Sequence, residues 1–491
     1  MILAGAARLA RAGGLVGPTR MADVLEERMT ADAAVSRLSQ VSRRDFLKRA
    51  SLGALGVAAG PAVMSQRVEA AEAAPATWDV LVAGGGPAGL AAAVSAARMR
   101  ARTLLVERYG FLGGMATAGL VNPFMGFHIA GKPIIEGILE EVIERLKATG
   151  GWSTPRAPLA FDAEAFKFVA DDMCREAKVR LLLHSWVAKP VVKRSRIEAV
   201  VVENKSGTQR LDARVYVDAT GDADLAFRAG VPCEIGREED GLTQPMTLCF
   251  RMADVEIDRM PPRQEINRLY DEARATGEVE NPRENVLFFF VPAPGVVHFN
   301  TTRVVRRSGV DAEDLTAAEV EARRQVRDMV AFLKSRVAGF ERSYLQVVAP
   351  QIGVRESRRI VGDYVVTGDD IIEARKFEDA VARGNYPIDI HNPAGSGTVI
   401  RTLPPGESYD LPYRCMVPKR INNLLVAGRS VSATHEAQAA LRIMPICMAL
   451  GQAAGIAAAM CARKGIAPRD LPYRDLRGWL LRRDANLLPR R

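Results

Sequence analysis

Gly84, Gly86 and Gly89 stand in G-x-G-x-x-G spacing directly after the apolar run Val80-Leu81-Val82. The first glycine of such a unit makes a tight turn, the second lets the backbone approach a pyrophosphate, and the third lets the next helix pack closely on the strand. Pro87 precedes that helix and Ala88 opens it, with a predicted span of residues 88–99. Its free N-terminal N–H groups are placed to hold phosphates. Glu107 closes the next apolar run, residues 103–106, eighteen positions beyond Gly89. An acid there binds both hydroxyls of a ribose and repels a 2′-phosphate, so the unit predicts a site for FAD or NAD rather than NADP.

The rest of the chain must position that unit. Its 491 residues, 48% hydrophobic and 25% charged, have room for two or three domains and exclude a disordered or fibrous protein. The net charge of +9 comes from arginines spread along the chain, with no basic stripe interleaved with aromatics, so no nucleic-acid partner is expected. The six cysteines are scattered and form no C-x-x-C, so they read as buried thiols and no metal site is expected.

Residues 1–73 read as an export region rather than as fold. Ser42-Arg43-Arg44-Asp45-Phe46-Leu47-Lys48 precedes fifteen uncharged residues, 50–64, and then small residues around Ala70 and Ala73. This resembles a twin-arginine signal cleaved near Ala70 or Ala73, which implies the twin-arginine translocase as a partner and a periplasmic or otherwise exported location. An uncleaved anchor is the alternative. Met21 and Met29 are alternative starts.

Further motifs follow the acid. The loop from Arg108 to Met115 carries adjacent glycines, Gly113 and Gly114, that let the chain pass close to a bulky planar ligand. Residues 131–147 and 161–177 have helical periodicity, and residues 179–184 and 197–203 read as short strands. His184, after a leucine run, reads as structural. The apolar run 215–218 leads into Ala219-Thr220-Gly221-Asp222, where Asp222 either holds a ribose or ribityl hydroxyl or caps the next helix. From about 236 to 345 the rhythm changes to strand-like runs and a charged helix, 316–337, with capping-box spacing at Thr316 and Glu319. Residues 423–428 form a strand ending at Gly428-Arg429, and a helix of small residues follows, with Pro445 suited to its N1 position and Gly451, Ala454, Gly455 and Ala458 allowing tight packing.

Together with Gly353-Val354-Arg355-Glu356-Ser357-Arg358-Arg359-Ile360, these motifs resemble FAD-dependent oxidoreductases of the glutathione-reductase-like superfamily. The similar branch holds heterodisulfide-reductase-A-like proteins, with fumarate reductase flavoproteins as distant relatives. The resemblance implies FAD, with the Arg108–Met115 loop along it, Val187 giving backbone hydrogen bonds to adenine, and the helix at Pro445 facing the flavin N1 and C2 carbonyl. Family members often carry an acid after the glycine of the last motif; here it is Arg429, which implies a ribityl contact through backbone only.

The expected fold is an α/β, Rossmann-like three-layer FAD domain in two parts, residues 74–235 and 346–491, with an inserted α+β substrate domain over 236–345. No second dinucleotide fingerprint exists, so electrons pass to or from a small molecule, a protein or a quinone. Two functions compete: an enzyme moving hydride between a small organic substrate and flavin N5, and a flavoprotein electron-transfer subunit of a larger redox complex. The missing cysteine clusters disfavour the second. Dehydrogenation needs a C–H bond held roughly 3–3.5 Å from N5 and a base, most often histidine. His391 is the first candidate, because an extended Asp389-Ile390-His391 puts the carboxylate beside the imidazole to orient it and stabilise its charged form. His435, just after Gly428-Arg429, is the second. Arg355, Arg358 and Arg442 are candidates to bind a carboxylate or developing anionic charge, or to make structural salt bridges.

Overall fold

A computed structural model describes residues 78–487; residues 1–73, with the expected twin-arginine signal, lie outside them. Five parallel strands form the central sheet: β1 (Trp78–Ala83), β2 (Thr103–Val106), β3 (Arg180–Leu182), β4 (Ala213–Asp218) and β5 (Leu424–Val426), in spatial order β5-β4-β1-β2-β3. The chain runs outward from β1 on one side and returns to the other, so the strand order reverses at the gap between β1 and β4. Ligands of open α/β sheets bind at such a point, outside the carboxyl ends of the strands.

The core strands read as unbroken apolar runs because both sheet faces are covered. Val80, Val82, Leu105, Val215, Val217 and Leu425 face two helices, α1 (Pro87–Arg98) and α2 (Met444–Lys464). Leu81, Leu104, Val106, Tyr216, Leu424 and Val426 face a three-stranded antiparallel meander formed by Trp186–Lys193, Arg196–Asn204 and Gly207–Leu211. The three layers are therefore helix, parallel sheet and β-meander. The helices touch backbone to backbone, since a Cβ on Gly451 or Gly455 would stand 2.1 Å from the carbonyl oxygen of Ala88 or Ala92. By length and composition α2 passes as a membrane span, yet 94% of its most apolar stretch is buried inside the protein. It is the central core helix.

The chain between Ile235 and Gln351 builds a second core. Phe288–Phe290, Val297–Phe299, Phe250–Ala253 and Tyr344–Val348 pair antiparallel in that order, with helices Arg263–Ala275 and Ala312–Arg336 packed on one face. Phe250 stacks on Phe299 at 4.8 Å within this core. The long helix starts four residues before the expected box: Asp311 caps it by accepting from the Asp314 N–H at 3.0 Å. Thr316 lies inside the helix, its hydroxyl donating to the Ala312 carbonyl, and Glu319 accepts from the Ile352 N–H at 2.7 Å. The chain then returns through a hairpin, Ile388–His391 with Thr398–Arg401, before entering β5.

Candidate active site

The cleft opens beyond β1, β4 and β5, where Gly84, the Ala219–Asp222 turn and Gly428 converge. Gly84 has φ +97°, and a Cβ on it would meet the Ala219 carbonyl oxygen at 2.5 Å. Gly89 sits behind the cleft, where a Cβ would lie 1.8 Å from the Gly84 oxygen; this is the close helix–strand contact expected of the third glycine. Gly86 is different. Its Cβ would meet nothing nearer than the Gly114 Cα at 3.8 Å, so this glycine borders open space. Pro87, Ala88 and Gly114 line the same space, at the N-terminus of α1. A pyrophosphate fits such a cradle, and a side chain on Gly86 would fill it. Gly113, at φ +107°, makes the turn behind it, its N–H donating to the Gly85 carbonyl at 2.9 Å.

Glu107 is buried at the cleft wall, accepting from the Gly85 N–H at 2.6 Å and the Tyr109 N–H at 2.9 Å. Each oxygen keeps a lone pair for a ribose hydroxyl, and the carboxylate also ties the glycine turn to the following loop. Arg108 lies between the rings of Tyr109 and Trp186, 4.9 and 5.3 Å from their centroids, and donates to Gln351 Oε1 at 2.6 Å. Val187, with Ser185 and Trp186, lines an extension of the cleft beyond Glu107.

At the opposite end, Asp222 and Arg429 form an ion pair of 2.6 Å, each side chain 11% exposed. Asp222 does not cap the next helix. The helix Asp224–Arg228 is held instead by Asp218, which accepts from the Ala226 N–H at 2.8 Å, and by Thr220, which accepts from the Asp224 N–H at 2.9 Å. The α2 N-terminus presents Met444 and Cys447 to the cleft. Pro445 is the second residue of the helix rather than the first, because Ile443 is the cap, and it is buried behind the wall. Cys447 is a buried thiol, pushed up to about 12 chiefly by burial. Met115 lines the cleft at the end of the loop expected along FAD, and Gln351, Trp186 and Cys447 join it without being sequence candidates; of these three only Trp186, an aromatic next to Val187, carries a sequence signal.

Arg442 links the cleft to a cluster of buried polar side chains drawn from both cores, called here the chamber. It lines the cleft and its Nη2 lies 3.3 Å from Asp389 Oδ2. That oxygen also accepts from the Tyr386 hydroxyl at 2.9 Å and lies 3.5 Å from His391 Nε2. Arg303, 1% exposed, points its Nη2 at His391 Nδ1 at 3.1 Å and pairs with Glu284 at 3.0 Å. A guanidinium only donates, so His391 Nδ1 is the acceptor and Nε2 carries the proton that faces Asp389. Asp389 and His391 are neighbours as expected, but the charged imidazole is not stabilised. Burial, then the charge of Arg355, pushes His391 down to about 3 against the pull of Asp389. Its only lone pair is already engaged by Arg303, so in this arrangement His391 orients Asp389 rather than accepting a proton.

His435 does not line the cleft. Its Nδ1 lies 2.9 Å from Glu356 Oε1, which also takes Arg359 Nη1 at 2.6 Å, while Glu356 Oε2 accepts from the Gln244 N–H. Arg358 is likewise structural, paired with Asp224 at 2.9 Å. Arg355 reaches into the chamber, donating to the Pro245 carbonyl and to Thr247 Oγ1. Burial and the neighbouring charges of Arg442 and Arg283 lower it to about 9.

The parallel sheet with its glycine cradle, and the second core beside it, define an α/β enzyme that holds FAD. The family model of FAD dependent oxidoreductases matches residues 79–480, and the chain belongs to that family. Among solved structures, it is similar to the flavin-dependent brominase Bmp2 (12% identity, 82% of this chain and 84% of that one, TM-score 0.45). It is also similar to p-nitrophenol 4-monooxygenase PnpA from Pseudomonas putida DLL-E4 (12% identity, 82% and 85%, TM-score 0.42). A third is a geranylgeranyl bacteriochlorophyll reductase-like protein from Thermoplasma acidophilum (13% identity, 83% and 84%, TM-score 0.39). Comparison with curated proteins finds no match.

Proposed function

We propose that this oxidoreductase passes hydride between a small organic substrate and flavin N5, as an exported enzyme of the heterodisulfide-reductase-A-like branch of the glutathione-reductase-like superfamily. The observation that carries the reading is the junction at Arg442, where the cleft that fits FAD meets a buried chamber of titratable side chains from both cores. Bound FAD supplies two-electron chemistry at its isoalloxazine ring; the chain supplies the rest. The glycine turn and the α1 N-terminus hold the pyrophosphate, Glu107 the ribose, and the strand edge at Val187 the adenine. The α2 N-terminus directs the positive end of its dipole into the cleft, favouring negative charge there. Arg442 and Arg355 bring full positive charge to the same end and would hold an anionic group of the substrate or charge developing on it. Asp389, kept ionised by Tyr386, Arg442 and His391, fixes the direction of Arg442.

The scattered cysteines offer no relay for an electron-transfer subunit, and among the described residues no group of three or more His, Cys, Asp or Glu side chains has a metal-holding arrangement. The twin-arginine box at Arg43-Arg44 supports export of a folded, cofactor-loaded protein through the translocase, with a protein or quinone as electron acceptor. Three measurements test the reading: chromatography of the chromophore released by denaturation, anaerobic screening of organic compounds for bleaching of the flavin spectrum, and cell fractionation of wild type beside Arg43→Lys/Arg44→Lys. FAD, bleaching by a small molecule and cytoplasmic retention of the variant are expected. FMN, or reduction by a partner flavoprotein but by no small molecule, would overturn the enzymatic part.

A further inference from the structure

The inserted sheet has two unlike faces. Phe250, Phe299 and Phe288 lie side by side in register on the face that packs on the helices. One residue along, Arg251 pairs across the strands with His298, and on a pleated sheet both must point the opposite way. Arg251 is 8% exposed and His298 is not exposed at all, yet Arg251 Nε and Nη2 and both ring nitrogens of His298 have no hydrogen-bond partner. Four unmet polar atoms in one cross-strand pair are a large departure for a buried site, where each costs about 1–3 kcal/mol when left unpaired.

Nearby acids do not answer them. Asp162 and Glu164 contribute to the field at Arg251, but Asp162 caps the helix Ala163–Ala177 and Glu164 pairs with Lys167. Cys249, just before the strand, lies in the field of Arg355, Arg251 and Arg283 together, and Arg355 in that of Arg442, Arg283 and Arg303. Arg355, which belongs to the chamber, donates to Thr247 Oγ1 at 3.2 Å on the stretch of chain that leads into the Arg251 strand, so the pair lies on the continuation of the chamber. The chamber's four guanidiniums, Arg283, Arg303, Arg355 and Arg442, face two carboxylates, Glu284 and Asp389, while the acids nearest Arg251, Asp162 and Glu164, are engaged elsewhere. His298 and His391 add no charge: burial with Arg251, and burial with Arg355, push each down to about 3. A buried excess of positive charge persists in a protein when a ligand completes it.

We propose that the substrate of this oxidoreductase is an organic acid whose carboxylate is anchored by Arg251 and His298 on the inner face of the inserted sheet, with its reacting carbon toward the flavin end of the cleft. This rests on the oxidoreductase reading above and adds the substrate class to it. A carboxylate matches the planar fork of Arg251, and the neutral His298 donates one ring N–H beside it.

The test uses the FAD-loaded protein and titration calorimetry with benzoate, malonate, pyruvate and citrate, against benzamide, malonamide and inorganic phosphate. At least one carboxylate should bind while its amide does not, and Arg251→Met should weaken it on the order of 10- to 100-fold, the range of a hydrogen bond to a charged group. Arg251→Lys should recover part of the loss. With no ligand added, Arg251→Met should melt no lower than wild type, because it removes an unpaired buried charge, and its FAD content should be unchanged. Equal binding of acid and amide, preference for phosphate, no binding of any carboxylate at 10 mM, or a sharp drop in the melting temperature of Arg251→Met would overturn the proposal. Bleaching of the flavin by the bound acid is read separately: binding without bleaching by any acid leaves the anchor standing and sinks hydride transfer.

Discussion

The two halves of the site are built by opposite means. The nucleotide half is backbone: glycine turns, helix N-termini and one carboxylate whose oxygens accept from Gly85 and Tyr109. The chamber half is side chain: arginines, histidines and acids drawn from both cores, several with polar atoms left unpaired. Backbone donors are present whatever the surroundings, so the first half is complete before a ligand arrives. The second half holds charge that only a ligand can complete. A binding end that is rigid and satisfied beside a reacting end that is charged and unsatisfied is the arrangement expected where one ligand stays and another comes and goes.

The sharpest way to break that contrast is at the glycines. Gly451→Val drives a side chain into the Ala88 carbonyl, 2.1 Å from where its Cβ would stand, and should cost about 4 kcal/mol or more, seen by circular dichroism as loss of the folded protein. A Cβ at Gly86 meets no protein atom nearer than 3.8 Å and borders the open cradle, so Gly86→Val should fold with a melting temperature close to wild type in the absence of cofactor and yet retain no FAD on gel filtration. If Gly86→Val retained FAD, the pyrophosphate would not lie where the cradle places it.

The ion pair at the border of the halves gives the next effect. Asp222→Ala strands Arg429, whose Nε already lacks a partner, and should destabilise by about 3 kcal/mol in urea denaturation, as breaking a buried pair does. Asp222→Ala combined with Arg429→Met should recover most of that loss. Equal costs for the single and double variants would mean that the pair contributes through packing alone.

Acid should act on the chamber and spare the cradle. Histidine takes up a proton near pH 6.5 in the unfolded chain, whereas His298 and His391 hold out to about 3 in the folded one. Between those values the unfolded state binds protons that the native state refuses, so stability is full above pH 6.5 and falls as pH drops below it. At pH 5 each histidine should account for a loss of about 2 kcal/mol. Urea denaturation at pH 8 and pH 5 measures the loss, and His298→Gln should remove about half of it. A stability flat down to pH 5 would show that neither ring is kept neutral by burial.

The same contrast governs what the sequence made legible. The cradle could be read because its determinants are local: three glycines and an acid at set distances after an apolar strand. The α/β class followed from the alternation of apolar strands and helices, and the packing of α2 from the small residues at Gly451 and Gly455. The chamber escaped because its members are remote in sequence. Arg251 and His298 meet only through strand register, and nothing near Gln351 marks it as the partner of Arg108. His435 was misplaced for a related reason. Nearness in sequence to Gly428 suggested the cleft, but the chain turns at Ser430–Thr434 and buries the ring against Glu356, a residue whose importance its own neighbourhood does not reveal. His391 was placed beside Asp389 by strand alternation, while Arg303, which decides its tautomer, comes from the inserted core.

That tautomer sets the smallest of the effects. With Nδ1 taken by the Arg303 guanidinium and Nε2–H directed at Asp389, His391 has no free lone pair for a substrate proton, and its influence passes through the aim of Asp389 and hence of Arg442. His391→Gln keeps a donor near Asp389 and should retain FAD. With an organic acid that bleaches the wild-type flavin, it should slow reduction by about tenfold or less, a loss near 1.4 kcal/mol, with KM little changed. Removing a general base would instead cost about 10²- to 10⁴-fold. His391→Ala, which removes the donor, should be slower than His391→Gln. The pH profile separates the two roles: a base carries the acid limb, so the limb should vanish with the imidazole if His391 is the base, and persist unshifted in both variants if it only positions Asp389. Loss of that limb would return proton transfer to His391 and require Arg303 to release Nδ1 when substrate binds.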